Sequence, residues 1–208
     1  MSKRVYPSAR EKILDAAEDV VLEQGAIHLT LDSVAKASKL SKGGLLYHFP
    51  SKAALLEALM RRIVNLWVSR VEAHAATLPP GPCRKARAIY NSYFSNVPES
   101  RRRRQRLFVA LAAAKTHQPS LMDIPRQTYA GFLKEFEEEG ENVGSSLVML
   151  TALDGIWWSH IFGTYALNPM QEQALKRELQ KLLGLPASAN RANPRASKKT
   201  SKAKLQTA

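Results

Sequence analysis

Apolar residues recur every three or four positions along most of this chain and nowhere alternate with polar ones over a strand's length. In residues 9–24, Ile13, Ala16, Ala17, Val20 and Val21 share one face, and Gly25 supplies a stop. Thr30 is placed to cap a short helix carrying Leu31, Val34, Ala35 and Ser38 on one side, with Asp32 in its first turn. Ser41 caps the next, 42–49, which holds Leu45, Leu46 and Phe49 and is ended by Pro50. Ser51 opens a longer helix to about residue 76, with Leu55, Leu56, Leu59, Ile63, Leu66 and Trp67 at helical spacing, before Pro79-Pro80-Gly81-Pro82 breaks the chain. Further helices are expected at about 83–97, 101–117, 119–139, 144–167 and 170–183. From Gly184 onward the chain has almost no apolar residues and no acids, so it is expected to be disordered. The fold class is all-α.

Composition adds limits. Ala, Leu, Glu, Lys and Arg dominate the 208 residues, and 45% apolar content is enough for real cores. A single cysteine, Cys83, excludes an internal disulfide framework and fits a reducing cytoplasm. The charged start, MSKRVYPSAREK, lacks the apolar segment of a signal peptide. The most apolar stretch, Ser145–Leu167, carries Asp154 and His160 and reads as a buried helix, not a membrane span. Net charge is +13, but residues 1–50 hold 7 basic and 6 acidic side chains, so total charge does not locate an anion-binding surface. A narrower window does: between Asp32 and Glu57 the charged residues are Lys36, Lys39, Lys42 and Lys52, all positive.

Two short helices joined by a tight turn, with an amphipathic helix on either side, make a helix-turn-helix, whose second helix enters the DNA major groove. That helix begins Lys42-Gly43-Gly44, although each glycine costs a helix roughly 1 kcal/mol relative to alanine. Removing side-chain bulk there lets backbone and DNA approach closely. Lys42 is set to reach a phosphate or a guanine edge. Tyr47 and His48 lie one turn on, where hydroxyl or imidazole can bond phosphate, and Lys52 is a second phosphate clamp.

The stretch Thr30-Leu31-Asp32-Ser33-Val34-Ala35, then Leu40-Ser41-Lys42-Gly43, Leu45, His48-Phe49 and Ser51-Lys52-x-x-Leu55, resembles the tetracycline-repressor (TetR) family over roughly residues 8–68. The resemblance implies a DNA-binding domain at 8–68, with Thr30 joining the contact residues. It implies a helical effector-binding and dimerisation domain at 69–184, followed by a basic tail at 185–208. It also implies a homodimer on a double-stranded DNA operator, most often a repressor released by a small molecule, with no cofactor. Three positions depart from the family pattern: Ser38 for alanine, Lys39 for the turn glycine, and Leu46 for a phosphate-binding tyrosine. The last moves the phosphate role to Tyr47.

Beyond the break, aromatic and flexible apolar residues recur, and the resemblance points to Phe94, Phe108, Met122, Tyr129 and Phe132 as lining an effector pocket. It points to Gly155, Trp157 and Trp158 for the dimer interface. The run Arg101-Arg102-Arg103-Arg104-Gln105-Arg106 opposes the dipole of the helix it opens, so solvent, the acidic 135–141 stretch of this chain or of its dimer mate, or an anionic effector should offset it. Its arginines span too wide an arc to line one cavity, which favours an apolar or amphipathic effector. No metal-ligand cluster, phosphate loop or nucleophile motif occurs, so nothing motivates an enzyme. The rival reading is an architectural protein that binds nucleic acid non-specifically through its tail and arginine run.

Overall fold

The computed structural model describes residues 8–95 and 98–186, with the backbone alone for 98–101. Nine α-helices follow one another among the described residues: α1 (Ala9–Gln24), α2 (Leu31–Ser38), α3 (Lys42–His48), α4 (Lys52–Thr77), α5 (Arg84–Phe94), α6 (Pro98–Ala113), α7 (Asp123–Glu137), α8 (Val143–Phe162) and α9 (Pro169–Leu182). Short 3₁₀ turns link α6 to α7 and α7 to α8, and no strand occurs among the described residues. The first four helices begin as the sequence implies. Side chains of Ser8, Thr30, Ser41 and Ser51 each accept a bond from the backbone N–H three residues on.

The later boundaries differ from expectation, each for a local reason. The helix expected at 101–117 begins at Pro98, whose fixed φ suits a first turn, and ends at Ala113 in a 3₁₀ turn. The helix expected at 119–139 starts as a 3₁₀ turn, Pro119–Met122, and becomes α-helical only from Asp123. That expected at 144–167 stops at Phe162, because Gly163 adopts the left-handed conformation (φ 63°). Gly184 and Leu185 are ordered rather than part of a tail. Gly184 is left-handed (φ 60°), and the Leu185 N–H bonds to the Gln180 carbonyl at 2.8 Å, closing α9. The rest of the expected tail, from 187, lies outside the described residues.

Two apolar cores are threaded on α4. The first gathers Ile13, Leu14, Val21, Val34, Leu45 and Phe49 of the N-terminal helices with Leu55, Leu59 and Val64 of α4. It also takes in Leu107 and Leu111 of α6, so helices from beyond the Pro-Pro-Gly-Pro break complete it. The second joins Val71 and Ala75 of α4 to Ile89, Tyr90, Phe132, Phe136, Met149, Leu153 and Leu179. Charge reinforces the first. Arg62 of α4 contacts Glu11, Asp15 and Glu18 of α1, and Arg103 of α6 contacts Glu18 and Asp19 at 3.7 and 2.7 Å. The acids of α1 thus take Arg103 of the run. Burial pushes the Glu18 carboxyl above its ordinary range, against the pull of both guanidinium groups.

Candidate nucleic-acid interface

The turn between α2 and α3 rests on Lys39, held left-handed at φ 57° and ψ 33°. This is the position where the family pattern has glycine, and the conformation explains why: a Cβ there costs about 1–2 kcal/mol. Leu40 N–H reaches back to the Ala35 carbonyl at 3.1 Å and closes the turn. Leu45 and Phe49 anchor α3 in the first core, which leaves its opposite face in solvent.

On that face Tyr47 is 85% exposed. Its ring meets that of His48 edge-on at 5.1 Å, so the two present a paired polar tip. Gly43 is exposed, and a Cβ built on it would meet nothing within 4 Å. At Gly44 a Cβ would lie 3.3 Å from the Ser41 capping hydroxyl. Packing within the chain therefore gives a reason for the second glycine and none for the first.

Lys42 projects from the first turn of α3, and its Nζ lies 2.9 Å from Asp32 Oδ1. Sequence reading missed this partner, although the ten-residue separation across a tight turn was the available signal. Thr30 is exposed, and its hydroxyl accepts from Ser33 N–H at 3.1 Å in a capping box. Lys52 is partly buried, and its Nζ donates to the Ile27 carbonyl at 2.5 Å, tying α4 to the loop before α2. Thr30, Lys42, Gly43, Tyr47 and His48 thus share the α2–α3 surface, whereas Lys52 is turned toward the loop.

The candidate effector residues separate into four groups. Tyr129 and Phe132 pack on Trp67 at 5.5 and 5.2 Å, and the Tyr129 hydroxyl donates to Asp154 at 3.0 Å. Burial raises the pKa of both the tyrosine and the carboxyl. Phe94 packs on Tyr90 and Tyr93, Phe108 on Trp157, and Met122 against the first core. An open cavity of about 810 Å³ lies elsewhere, between α1, α6, α8 and α9, and none of the five lines it. Of the interface candidates, Trp158 is 43% exposed and stacks on Phe162, while Trp157 turns inward. Phe162, Tyr165 and Met170 extend this exposed apolar strip. The four-residue step from Trp158 to Phe162 was the signal for it.

Residues 13–59 match the bacterial regulatory proteins of the tetR family, and residues 84–184 match the tetracyclin repressor-like C-terminal domain. The chain belongs to the TetR family. Over 163 residues it is 27% identical to the HTH-type transcriptional regulator BetI of Klebsiella pneumoniae, spanning 74% of this chain and 82% of that one. It is 34% identical over 77 residues to the regulator RutR of Escherichia coli, across 37% and 36% of the two chains. The multidrug binding protein EbrR shares the fold with a TM-score of 0.59 at 22% identity, over 88% of this chain and 99% of that one. This TetR-family chain is a DNA-binding transcription regulator, not an enzyme, with the homodimer and small-molecule effector typical of its family. No helix among the described residues is long and apolar enough to cross a membrane.

Proposed function

We propose that the protein is a cytoplasmic repressor that reads a near-palindromic operator through the α2–α3 surface of each subunit in a homodimer. The observation that carries this is the open space over Gly43. A helix start that sacrifices stability where nothing in the chain requires it is best explained by a partner from outside. In this reading residues 8–68 are the reading head. Gly43 and Gly44 admit the DNA backbone, Lys42 exchanges Asp32 for a phosphate or guanine edge, and Tyr47, His48 and Thr30 bond phosphates. Lys52 acts from behind, by holding the loop that carries Thr30, and reaches phosphate only by leaving Ile27.

Residues 69–184 take the effector and pair the subunits, through the strip that includes Trp158 beside Gly155, with Trp157 supporting it from within. The tail adds non-specific attraction. EbrR, of the same fold, is known in complex with imidazole and with ethidium, which supports a small apolar or amphipathic effector. Phe94, Phe108, Met122, Tyr129 and Phe132 would then admit ligand only by repacking.

The test is selection of duplexes from a random pool by the full-length protein, followed by footprinting. One short near-palindrome is expected. Enrichment of no sequence would overturn the reading in favour of a non-specific architectural protein. Deleting 187–208, which spares the Leu185 bond that closes α9, should flatten the salt dependence and leave the preferred sequence unchanged.

A further inference from the structure

The arginine run divides once α6 is in place. Arg103 is committed to Asp19 and Glu18 of α1. Arg102 and Arg106, one helical turn apart, point to a different side and line the 810 Å³ cavity together with Gln105 and Val109. Neither Arg102 nor Arg106 has an ion pair or hydrogen bond among the described residues. Between them Gln105 is only 7% exposed, and its amide nitrogen has no hydrogen-bond partner there. A buried donor left unpaired costs about 1–3 kcal/mol, so its retention asks for an acceptor. Two unpaired guanidinium groups and one amide, all donors, therefore line one space.

The rest of the lining has a different character. Val21 and Leu22 of α1, Val109 and Ala110 of α6 and Ile161 of α8 give it an apolar wall. His160 and Glu172, from α8 and α9, supply polar groups, and Glu172 is the one carboxylate there among the described residues. We infer that this cleft binds a small amphipathic monoanion, its carboxylate held by Arg102, Arg106 and the Gln105 amide and its hydrocarbon body laid on the apolar wall. Guanidinium groups one turn apart can grip a single carboxylate. Glu172 disfavours a second negative charge on the ligand, which separates this class from phosphates and dicarboxylates.

The inference rests on the effector reading above and gives it a place and a chemical class. The place matters because Val21 and Leu22 belong to α1, whereas the remaining walls belong to α6, α8 and α9. An occupant thus touches the reading head and the C-terminal helices at once. It touches them one turn from the Arg103 contacts to Glu18 and Asp19. A ligand controls DNA binding only if it favours one arrangement of these parts over the other.

The test is calorimetric titration of the full-length protein with decanoate, with 1-decanol and dodecyl phosphate as probes of charge. Saturable binding of decanoate is expected, with weaker binding of the other two. Arg102→Gln with Arg106→Gln should weaken decanoate at least about tenfold, as loss of charge-assisted hydrogen bonds implies. Glu172→Gln should tighten it. Val109→Trp, which fills the cleft, should abolish binding while leaving the melting temperature within a few degrees. Equal binding of 1-decanol, or unchanged affinity in the arginine double variant, would overturn the site. Operator affinity is measured separately: arginine-dependent decanoate binding that never alters it would uphold the site and refute release by this ligand.

Discussion

The two halves of the chain start their helices differently. Each of the first four has a serine or threonine whose side chain closes the first turn. Helices α5, α7 and α8 follow Cys83, Met122 and Asn142 with no side-chain cap bond, whereas α9 keeps the first pattern, Asn168 and Gln171 forming a capping box. Cys83 even holds a left-handed conformation at φ 55°. A reading head must keep its geometry in the groove, and local caps fix its helix starts while α6 completes the core behind them. An effector half that rearranges is better held by tertiary packing, which can be exchanged. Segments that move in regulation are drawn from the less stable parts of a fold.

The largest test of this contrast strikes the second core. Phe136→Ala removes a fully buried ring and should cost about 3–5 kcal/mol. Thermal melts followed by tryptophan fluorescence, beside circular dichroism of the whole chain, would tell whether the head survives. Separate transitions would sharpen the contrast, and a single one would show that α4 makes the halves cooperative. Next in size, Lys42→Ala with Tyr47→Phe should weaken operator binding at least tenfold, about 1.4 kcal/mol, with no fall in melting temperature. Equal operator affinity for the double variant in gel-shift titrations at physiological salt would dismiss these contacts.

Ser41→Ala should cost about 1 kcal/mol of stability by removing the α3 cap bond. Gly43→Ala should do the reverse, stabilising by about 0.5–1 kcal/mol while weakening operator binding, because the methyl fills space left for DNA. Denaturant melts with DNA titration separate the two effects, and a tighter-binding alanine variant would contradict the role given to Gly43. The smallest effect concerns Asp154. Its raised pKa means the folded protein favours the protonated form, so this group's contribution is present at low pH and is lost as pH rises through that pKa. Asp154→Asn keeps an acceptor for Tyr129 and should flatten stability against pH just above the ordinary carboxylate range.

What was legible in the sequence follows the same divide. The caps at Thr30, Ser41 and Ser51, the α3 glycines and the face carrying Tyr47 are local signals, and α1–α4 lie within a residue or two of where they were read. The left-handed Lys39 explains why the pattern has glycine at that position, which the sequence alone could only note. The C-terminal half defeated local reading because its aromatic residues serve several contacts. Periodicity marks Phe94, Phe108 and Phe132 alike as inward-facing but cannot say that they belong to different groups. The arc argument about the arginines was sound as geometry, since they do diverge. It missed that Arg102 and Arg106 are a turn apart and part company with Arg103.

The 26 residues of α4 make a rod about 39 Å long at 1.5 Å per residue. One end is pinned by Lys52 at the loop before α2, and the other is embedded in the second core. Such a rod gears small angles into large displacements. Tilting it by about 3° about its far end carries the near end through about 2 Å. A hydrogen bond stretched by even a fraction of that is lost. If residues 8–68 are the reading head proposed above, the protein has no need to unfold or refold anything to let go of DNA. A repacking too slight to alter any helix, at one end of this shaft, suffices to disengage the other.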